Sequence, residues 1–348
     1  MTLPDPPSFI TRDRRRAVAA STEPLDPNLA GGQAVAASST APLLLPPAEA
    51  APVPPLGRAV IHEPRPVPNQ FGPADVAERA WINAAALRPG ALVAVSSADG
   101  GVGRSTLVAA LGGLLALAVP EPVLAVDMVS APWGGLGARV GRQNRATVWD
   151  TVDNLKSLTS RSDVEHFAQR GPSGLLALVG ETEGRERRPP RHDEAAALAD
   201  RLRWLFPLTV CDLSPAVSSA VWRTVVAATV PVLVARATTD GLRHAMRLLT
   251  QLTAAGHAQP AQACVLVVMA TSPSVPRQVR ALVRQADDIA GAVLEVPYDP
   301  SLAQPEPIDP RLLRRRTRTA LVHVADAVLS RCAVQRPASA LSHQERAS

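Results

Sequence analysis

The chain has 348 residues, of which 46% are hydrophobic, and its formal net charge is +5. This length exceeds one minimal domain and allows a sizeable core, which must be built from Ala, Val and Leu because aromatic residues make up only 3%. The small positive excess does not by itself indicate a nucleic-acid or lipid partner. Prolines interrupt the longest apolar stretch, 107–126, so it is interpreted as a helix and a strand of a core rather than a membrane span.

The cysteines and the N-terminal sequence bear on the compartment. Cys211, Cys264 and Cys332 lack CxxC spacing and two of them lie in apolar runs, so buried, reduced thiols are expected. The first residues, MTLPDPPSFITRDRRR, contain no apolar segment typical of a signal peptide. Both features predict a cytoplasmic protein, and a peripheral location at the inner face of the membrane stays open.

The first 75 residues differ in composition from the rest. They contain 15 of the 34 prolines and show no sustained period of 2 or 3.6. Such a segment cannot bury enough apolar surface to offset its ordering entropy, so a disordered Pro/Ala-rich arm is predicted for 1–75. A folded domain is predicted for 76–333 and a disordered polar tail for 334–348. Two interpretations of the arm remain open: a solvated tail, or a segment that binds a protein partner.

From residue 76 the sequence alternates between helical patterns and short apolar runs. The run ADVAERAWINAAAL predicts an amphipathic helix. Runs without polar alternation predict strands buried on both faces, at 91–96, 122–127, 174–180, 208–214, 231–237, 263–270 and 292–299. Helical patterns lie between most of them, at 106–118, 193–206, 217–228, 240–256 and 275–288. The alternation predicts an α/β domain with a doubly wound, mostly parallel sheet, helices on both of its faces, and a ligand at the carboxyl ends of the strands.

Two further helices are predicted, a short one from a capping-box signal and a long one that begins with a run of arginines. Ser162 and Glu165 are spaced as a capping box for a short helix. A last helix is predicted for 310–331, with arginines crowded at its start (311, 314–316 and 318). These arginines either contact anionic lipid or DNA, or form the solvated face of a packed helix; the pattern leaves both open.

The stretch SSADGGVGRST (96–106) has the layout of a phosphate-binding loop. An apolar strand precedes it and an apolar helix follows, as such a loop requires. Glycines let consecutive backbone N–H groups approach phosphate oxygens closely, and Gly100, Gly101 and Gly103 meet that demand. Ser105 stands where a hydroxyl coordinates Mg²⁺.

The motif DGGVGRST (99–106) resembles the deviant Walker A motif KGGVGKTT of the ParA/MinD ATPases. Segments that resemble other parts of this family follow in the same order: a switch I region (122–140), the Walker B strand TVCDLSP (209–215) and the late strand VLEVPYDP (293–300). The resemblance covers roughly 76–331 and is strongest to actinobacterial MinD-like proteins, some of which are associated with type VII secretion. It implies a P-loop NTPase fold of the SIMIBI/MinD class, with ATP and Mg²⁺ as cofactors.

The resemblance also implies roles for individual residues. Ser105 and Asp212 are the implied magnesium ligands, Asp212 through a water molecule. Asp127, at the end of the second predicted strand, is the only candidate for a catalytic role. The implied nucleotide contacts are Gly100, Gly101, Val102, Gly103, Arg104, Ser105, Thr106 and Asp212.

Four positions depart from the family pattern. Asp99 stands where the signature lysine contacts the nucleotide of a partner subunit, and Arg104 where the loop lysine contacts the β- and γ-phosphates. Val129 replaces an Asp that orients the attacking water, and Ala270 falls where an adenine-binding Asn is often found. A carboxylate about 4 Å from a polyphosphate is repelled by roughly 4 kcal/mol at an effective dielectric near 20. Phosphoryl transfer depends on positioning and electrostatics, so weak or lost hydrolysis is expected.

Two functions follow from this pattern. The first is an ATP-binding protein of the MinD/ParA type, with weak or lost hydrolysis, that acts in positioning, partitioning or secretion-associated regulation. The second is a non-catalytic adaptor, a pseudo-ATPase, that forms a heterodimer with a competent paralogue. A homodimer is the expected assembly under the first, while protein partners of the arm and a DNA or membrane surface stay open under both.

Overall fold

The computed structural model describes residues 74–129, 135–180, 192–215 and 219–334. The predicted arm and tail fall almost wholly outside these residues, and so do residues 130–134 of the predicted switch I region. Within them, the helices are α1 Ala74–Ala85, α2 Arg104–Ala118, α3 Leu136–Val140, α4 Val148–Asp153, α5 Arg161–Glu165, α6 His192–Leu205, α7 Ser219–Ala227, α8 Thr239–Ala254, α9 Ala258–Ala263, α10 Arg277–Asp287, α11 Pro300–Ala303 and α12 Arg315–Val334.

Eight strands form one twisted sheet with the order β3-β4-β2-β5-β1-β6-β7-β8. All neighbours are parallel except β3 and β4, which are antiparallel. The predicted doubly wound, mostly parallel α/β architecture is therefore confirmed. The strands are β1 Ala91–Ser97, β2 Leu124–Met128, β3 Gln169–Arg170, β4 Leu176–Leu178, β5 Leu208–Leu213, β6 Val230–Arg236, β7 Val265–Met269 and β8 Ala292–Val296.

The sheet separates two hydrophobic clusters. Successive side chains of a strand point to opposite faces. In β1, Val93 and Val95 accordingly belong to one cluster, with α1, α2 and α12, while Leu92 and Ala94 belong to the other, with α4, α6 and α8. Burial on both faces explains why this strand is a continuous apolar run.

The two helices at the ends of the described chain pack against each other. Arg79 of α1 forms a bidentate contact with Asp326 of α12, with Nε–Oδ1 at 2.9 Å and Nη2–Oδ2 at 2.6 Å. Trp81 is 2% exposed and contributes to the cluster between α1, α2 and α12. Within the described part of the chain, no helix is long and apolar enough to cross a bilayer.

Three local predictions are corrected by the structure. The capping box consists of Ser160 and Asp163, not Ser162 and Glu165, because the short helix begins two residues earlier than the spacing suggested. The last helix begins at Arg315, since residues 310–312 form a separate 3-10 turn that Asp309 caps. The antiparallel strand β3 was not predicted, because it consists of only two residues, both polar, and so shows no hydrophobic periodicity.

The cysteines behave as the sequence predicted. All three are free thiols, and Cys211 and Cys264 are buried in the core. Burial raises the pKa of each of these two to about 12, so they stay protonated and unreactive at neutral pH.

Candidate functional site

The glycine-rich loop connects β1 to α2 at the carboxyl end of the sheet. Gly101 has φ 65° and Gly103 has φ 95°, conformations that side chains with a Cβ rarely adopt. A Cβ at Gly103 would also lie 3.4 Å from Met269 Cε. Gly100 has neither constraint, since a Cβ there meets nothing within 4 Å. Val102 is 2% exposed and anchors the loop in the core.

The N-terminus of α2 is open to an anion. Gly103 occupies the cap position and has no side chain that could accept from the first-turn amides. The N–H groups of the first turn have no intrahelical acceptors, and the dipole of this 15-residue helix places partial positive charge there. Together with the left-handed glycines, this geometry fits a bound phosphate chain.

Arg104 folds back under the loop. Its Nη1 donates to Ser97 Oγ at 2.5 Å and to the Asp99 carbonyl at 3.3 Å. Its Nε lies 3.6 Å from Asp212 Oδ1, close enough for charge attraction but too far for a hydrogen bond. The side chain is only 11% exposed, so it connects both ends of the loop with the strand behind it.

Asp127 and Asp212 lie side by side on β2 and β5. Parallel pairing places them level in register, and both are fully buried. The Val129 amide donates to Asp127 Oδ1 at 3.2 Å, while Asp127 Oδ2 and both Asp212 oxygens have no hydrogen-bond partner among the described residues. Burial, followed by the charge of Asp212, raises the pKa of Asp127 to about 7. Burial also raises the pKa of Asp212, which the Arg104 charge opposes.

Unsatisfied buried carboxylate oxygens are costly unless a cation or a hydrogen bond compensates them. Oxygen ligands beside a phosphate-binding loop are the set that Mg²⁺ prefers. The residues present therefore fit Mg²⁺, with Ser105 and Asp212 as the side chains that would hold it and Asp127 next to them.

Arg139 connects the loop helix to the segment that follows β2. Its Nε donates to Thr106 Oγ1 at 2.6 Å and its Nη1 to the Gly135 carbonyl at 3.1 Å. Gly135 itself approaches Ser105, since a Cβ there would lie 3.2 Å from Ser105 Oγ. Burial lowers the pKa of Arg139, and the charge of Asp212 partly offsets this. The switch I segment thus contacts both hydroxyl residues that follow Arg104.

Asp99, at the signature position, pairs with a residue of its own chain. Its carboxylate oxygens lie 2.9 and 3.0 Å from Nδ1 of His244, which belongs to α8. Both side chains are partly exposed, 38% for Asp99 and 49% for His244. The carboxylate at the signature position is therefore held by a side chain of the same chain.

A second arginine reaches the loop from β6. Arg236 is the last residue of that strand, and its Nη2 donates to the Gly101 carbonyl at 2.9 Å. The Arg236 Nε is buried and has no hydrogen-bond partner among the described residues.

The other two departures are apolar as expected. Val129 follows β2 and offers only its backbone amide, to Asp127. Ala270 follows β7, with its amide donating to the Val296 carbonyl at 3.0 Å. Neither side chain can orient a water molecule or bind a base by hydrogen bonding.

The structure brings the predicted site residues together around one loop: Gly100, Gly101, Val102, Gly103, Arg104, Ser105, Thr106, Asp127 and Asp212. Sequence reasoning missed Arg139, Arg236 and His244. Arg236 and His244 lie more than 130 positions after the loop, and an arginine that ends a strand or a histidine on a helix carries no motif.

Comparison with known proteins supports the fold and names one relative. No protein-family model matches the chain. The ESX-1 secretion-associated protein EspI of Mycobacterium tuberculosis is 29% identical over 217 residues, which cover 61% of this chain and 32% of EspI. The chain thus matches only about a third of the length of this curated relative.

Solved structures of low sequence identity share the fold. The MinD cell division ATPase of Pyrococcus furiosus has a TM-score of 0.54 at 17% identity, covering 69% of this chain and 99% of that one. A ParA family ATPase of Chlorobium tepidum has 0.52 at 13% identity, covering 70% and 98%. MinD of Pyrococcus horikoshii, complexed with Mg-ADP, has 0.52 at 16% identity, covering 68% and 94%. The resemblance indicated by the loop motif is confirmed: the chain has the fold of the ParA and MinD ATPases.

Proposed function

We propose that this protein binds ATP with Mg²⁺ at the loop 99–106 and hydrolyses it slowly or not at all. The observation that carries the proposal is the pair of buried carboxylates, with oxygens that lack hydrogen-bond partners among the described residues, beside a helix N-terminus that no side chain caps. Such a site compensates both charges at once when a polyphosphate and a divalent cation bind together.

The described residues divide the binding between them. The amides of the loop and of the first turn of α2 would bind the phosphates, and Ser105 and Asp212 would hold Mg²⁺. The metal supplies charge neutralisation of the phosphate oxygens. Pyrococcus horikoshii MinD, which shares the fold, is complexed with Mg-ADP, and this supports the cofactor assignment.

Weak turnover follows from what the site lacks. Val129 cannot orient an attacking water, and Asp99 carries the wrong charge to act on the nucleotide of a partner subunit. Arg104 is fixed by Ser97, Asp99 and the charge of Asp212. Since catalysis of phosphoryl transfer relies on positioned charges, this site is suited to nucleotide binding more than to hydrolysis.

The cellular process is proposed from the relative. The similarity to EspI favours a secretion-associated role in which nucleotide binding regulates assembly. Positioning or partitioning, as the ParA and MinD names suggest, is the broader version of the same proposal.

A titration tests the binding proposal. Fluorescently labelled ATP is titrated into the full chain with Mg²⁺ or with a chelator, using wild type, Asp212→Asn and, as a charge-matched control, Asp287→Asn on the exposed end of α10. We expect saturable, Mg²⁺-dependent binding that Asp212→Asn weakens about tenfold or more and the control leaves unchanged. Absence of binding by wild type, or efficient unassisted ATP turnover by it, would contradict the proposal.

The alternative is a non-catalytic adaptor that pairs with a competent paralogue. The inverted charge at Asp99 favours it, because an acid at this position suits a partner with a basic group there. Light scattering and ATPase assays on a mixture with such a paralogue test it: association with a changed rate is expected. ATP-driven homodimerisation instead would favour the first function.

Binding of a protein partner by the arm, and contact of the arginines at 311–318 with DNA or lipid, belong to the same proposal.

A further inference from the structure

The cation that the resemblance places in the loop is already engaged within the protein. Arg104 donates to Ser97 and to the backbone of Asp99, and its Nε faces the Asp212 carboxylate at 3.6 Å. Only 11% of the side chain is exposed. An arginine held in this way has little charge left to offer an anion above the loop.

Arg236 is differently placed. β6 pairs with β1 so that Val234 lies level with Ser97, which brings the end of β6 beside the loop. The guanidinium contacts the loop through one donor, Nη2, at the Gly101 carbonyl. Among the described residues no carboxylate lies within 4 Å of it, so the ion pairs of this region leave its charge uncompensated.

The loop is shaped to admit this arginine. A Cβ at Gly101 would lie 3.3 Å from Arg236 Nη2, so the glycine allows the close approach. Arginine has five N–H donors in a rigid fork that matches phosphate oxygens. Nη2 donates to Gly101 and Nε is buried, so Nη1, which has no hydrogen bond among the described residues, is the nitrogen that a ligand at the loop can reach.

We propose that Arg236 binds the polyphosphate at this loop and supplies the cationic function that neither Asp99 nor Arg104 provides. The inference rests on the proposed nucleotide site and adds a residue to it.

Calorimetric titration of the full chain tests the role, with two probes: Mg-ATP and inorganic tripolyphosphate with Mg²⁺. Arg236→Gln removes the charge but keeps an amide that can donate to the Gly101 carbonyl. Arg236→Lys keeps the charge without the fork. Arg280→Ala, on the exposed face of α10, is the control for loss of one positive charge.

We expect Arg236→Gln to weaken both probes by about 10- to 100-fold, Arg236→Lys to weaken them less, and Arg280→Ala to change them by less than about twofold. Thermal unfolding without ligand should be the same for all four proteins. If Arg236→Gln does not fold, the Arg236→Lys variant tests the role instead, because loss of the guanidinium fork should still weaken the binding of tripolyphosphate measurably.

The outcomes separate this inference from the function on which it rests. Wild type that binds both probes, with Arg236→Gln and Arg236→Lys unchanged, overturns the role of Arg236 and leaves nucleotide binding intact. Wild type that binds tripolyphosphate but not ATP, with binding lost in Arg236→Gln, supports the role of Arg236 while the nucleotide function fails. Wild type that binds neither probe overturns both.

Discussion

At the scale of single residues, the most consequential contact is the one between Asp99 and His244. The sequence placed a negative charge at the position where related proteins have a cation, and the expected result was repulsion of a phosphate chain. The structure instead pairs this acid with Nδ1 of a histidine on α8. The acid at this position therefore has a partner within the same chain.

A double-mutant cycle measures this contact. Because both side chains are partly exposed, we expect a coupling between Asp99→Ala and His244→Ala of about 0.2–1 kcal/mol in the free energy of unfolding at low salt. Urea denaturation of the four proteins gives the value. A parallel cycle of Asp99→Ala with His257→Ala, at the start of α9, is the control and should show additivity. Additivity in both cycles would mean that the pair contributes nothing.

The sequence predicted the two carboxylates of the site but not the two residues that contact the loop from β6 and α8. Asp127 and Asp212 could be predicted because each ends an apolar strand in a motif of fixed order. Arg236 and His244 could not, because their contacts depend on β6 and α8 folding back beside the loop. The order of the strands in the sheet decides which side chains reach the loop, and local residue spacing does not reveal that order.

At the scale of elements, the short helix α5 begins with a real capping box, displaced by two residues from the predicted one. Asp163 accepts from the backbone amides of Thr159 and Ser160, at 2.8 and 2.7 Å. These hydrogen bonds, first that of Ser160, lower the pKa of Asp163 to about 2. The pairs Ser160/Asp163 and Ser162/Glu165 both fit the capping-box spacing. The structure uses the first pair, in a helix that buries Val164.

The capping box predicts a dependence on pH. The native pKa of Asp163 lies below its ordinary 3.8, so its stabilisation is complete above that value and is lost as pH falls through about 2. Asp163→Ala should lower the thermal midpoint at pH 5–8 by a constant amount that shrinks below about pH 4. Glu165→Ala, from the rejected box, serves for comparison and should change the midpoint less. An equal effect of both would contradict the assignment.

The loop glycines differ in what they tolerate. Gly103→Ala forces a Cβ into left-handed backbone against Met269, so we expect a loss of about 1–2 kcal/mol in the free energy of unfolding. Gly100→Ala enters open space and should change it by less than about 0.5 kcal/mol. Chemical denaturation without nucleotide makes the comparison. Equal losses would show that φ is not the constraint.

Helix α1 offers a matched pair of neighbours. Trp81 is 2% exposed and Ile82 is 56% exposed. Trp81→Ala leaves a cavity between α1 and its packing partners and should cost about 3–5 kcal/mol in the free energy of unfolding, whereas Ile82→Ala should cost under about 0.5 kcal/mol. Urea denaturation gives both values. A small effect of Trp81→Ala would mean that α1 is peripheral to the fold.

At the scale of the whole molecule, the sheet was largely predictable. Seven of the eight strands coincide with predicted apolar runs. Burial on both faces explains this for the inner strands, whereas in the edge strand β8 only Val296 is buried and Glu295 is exposed, which corrects the prediction of burial on both faces there. The eighth, β3, pairs by only two residues at the edge of the sheet and depends on β4 for its existence. Strand order was not predicted, since apolar runs do not indicate which strands pair with each other.

The two clusters on either side of the sheet lie within the described residues, so a chain of residues 74–334 should fold by itself. We expect its thermal midpoint and its ATP affinity to match those of the full chain. Calorimetry and the labelled-ATP titration provide the comparison. A lower midpoint or a lost affinity would show that the predicted arm or tail takes part in the domain, contrary to the predicted boundaries.

Arg236 ends β6 and His244 lies eight positions later on α8, and they contact Gly101 and Asp99, two positions apart at the start of the loop. The loop is therefore attached at two points to a single structural unit. A change in the conformation of this loop therefore alters a contact with the end of β6 and a contact with α8 at the same time.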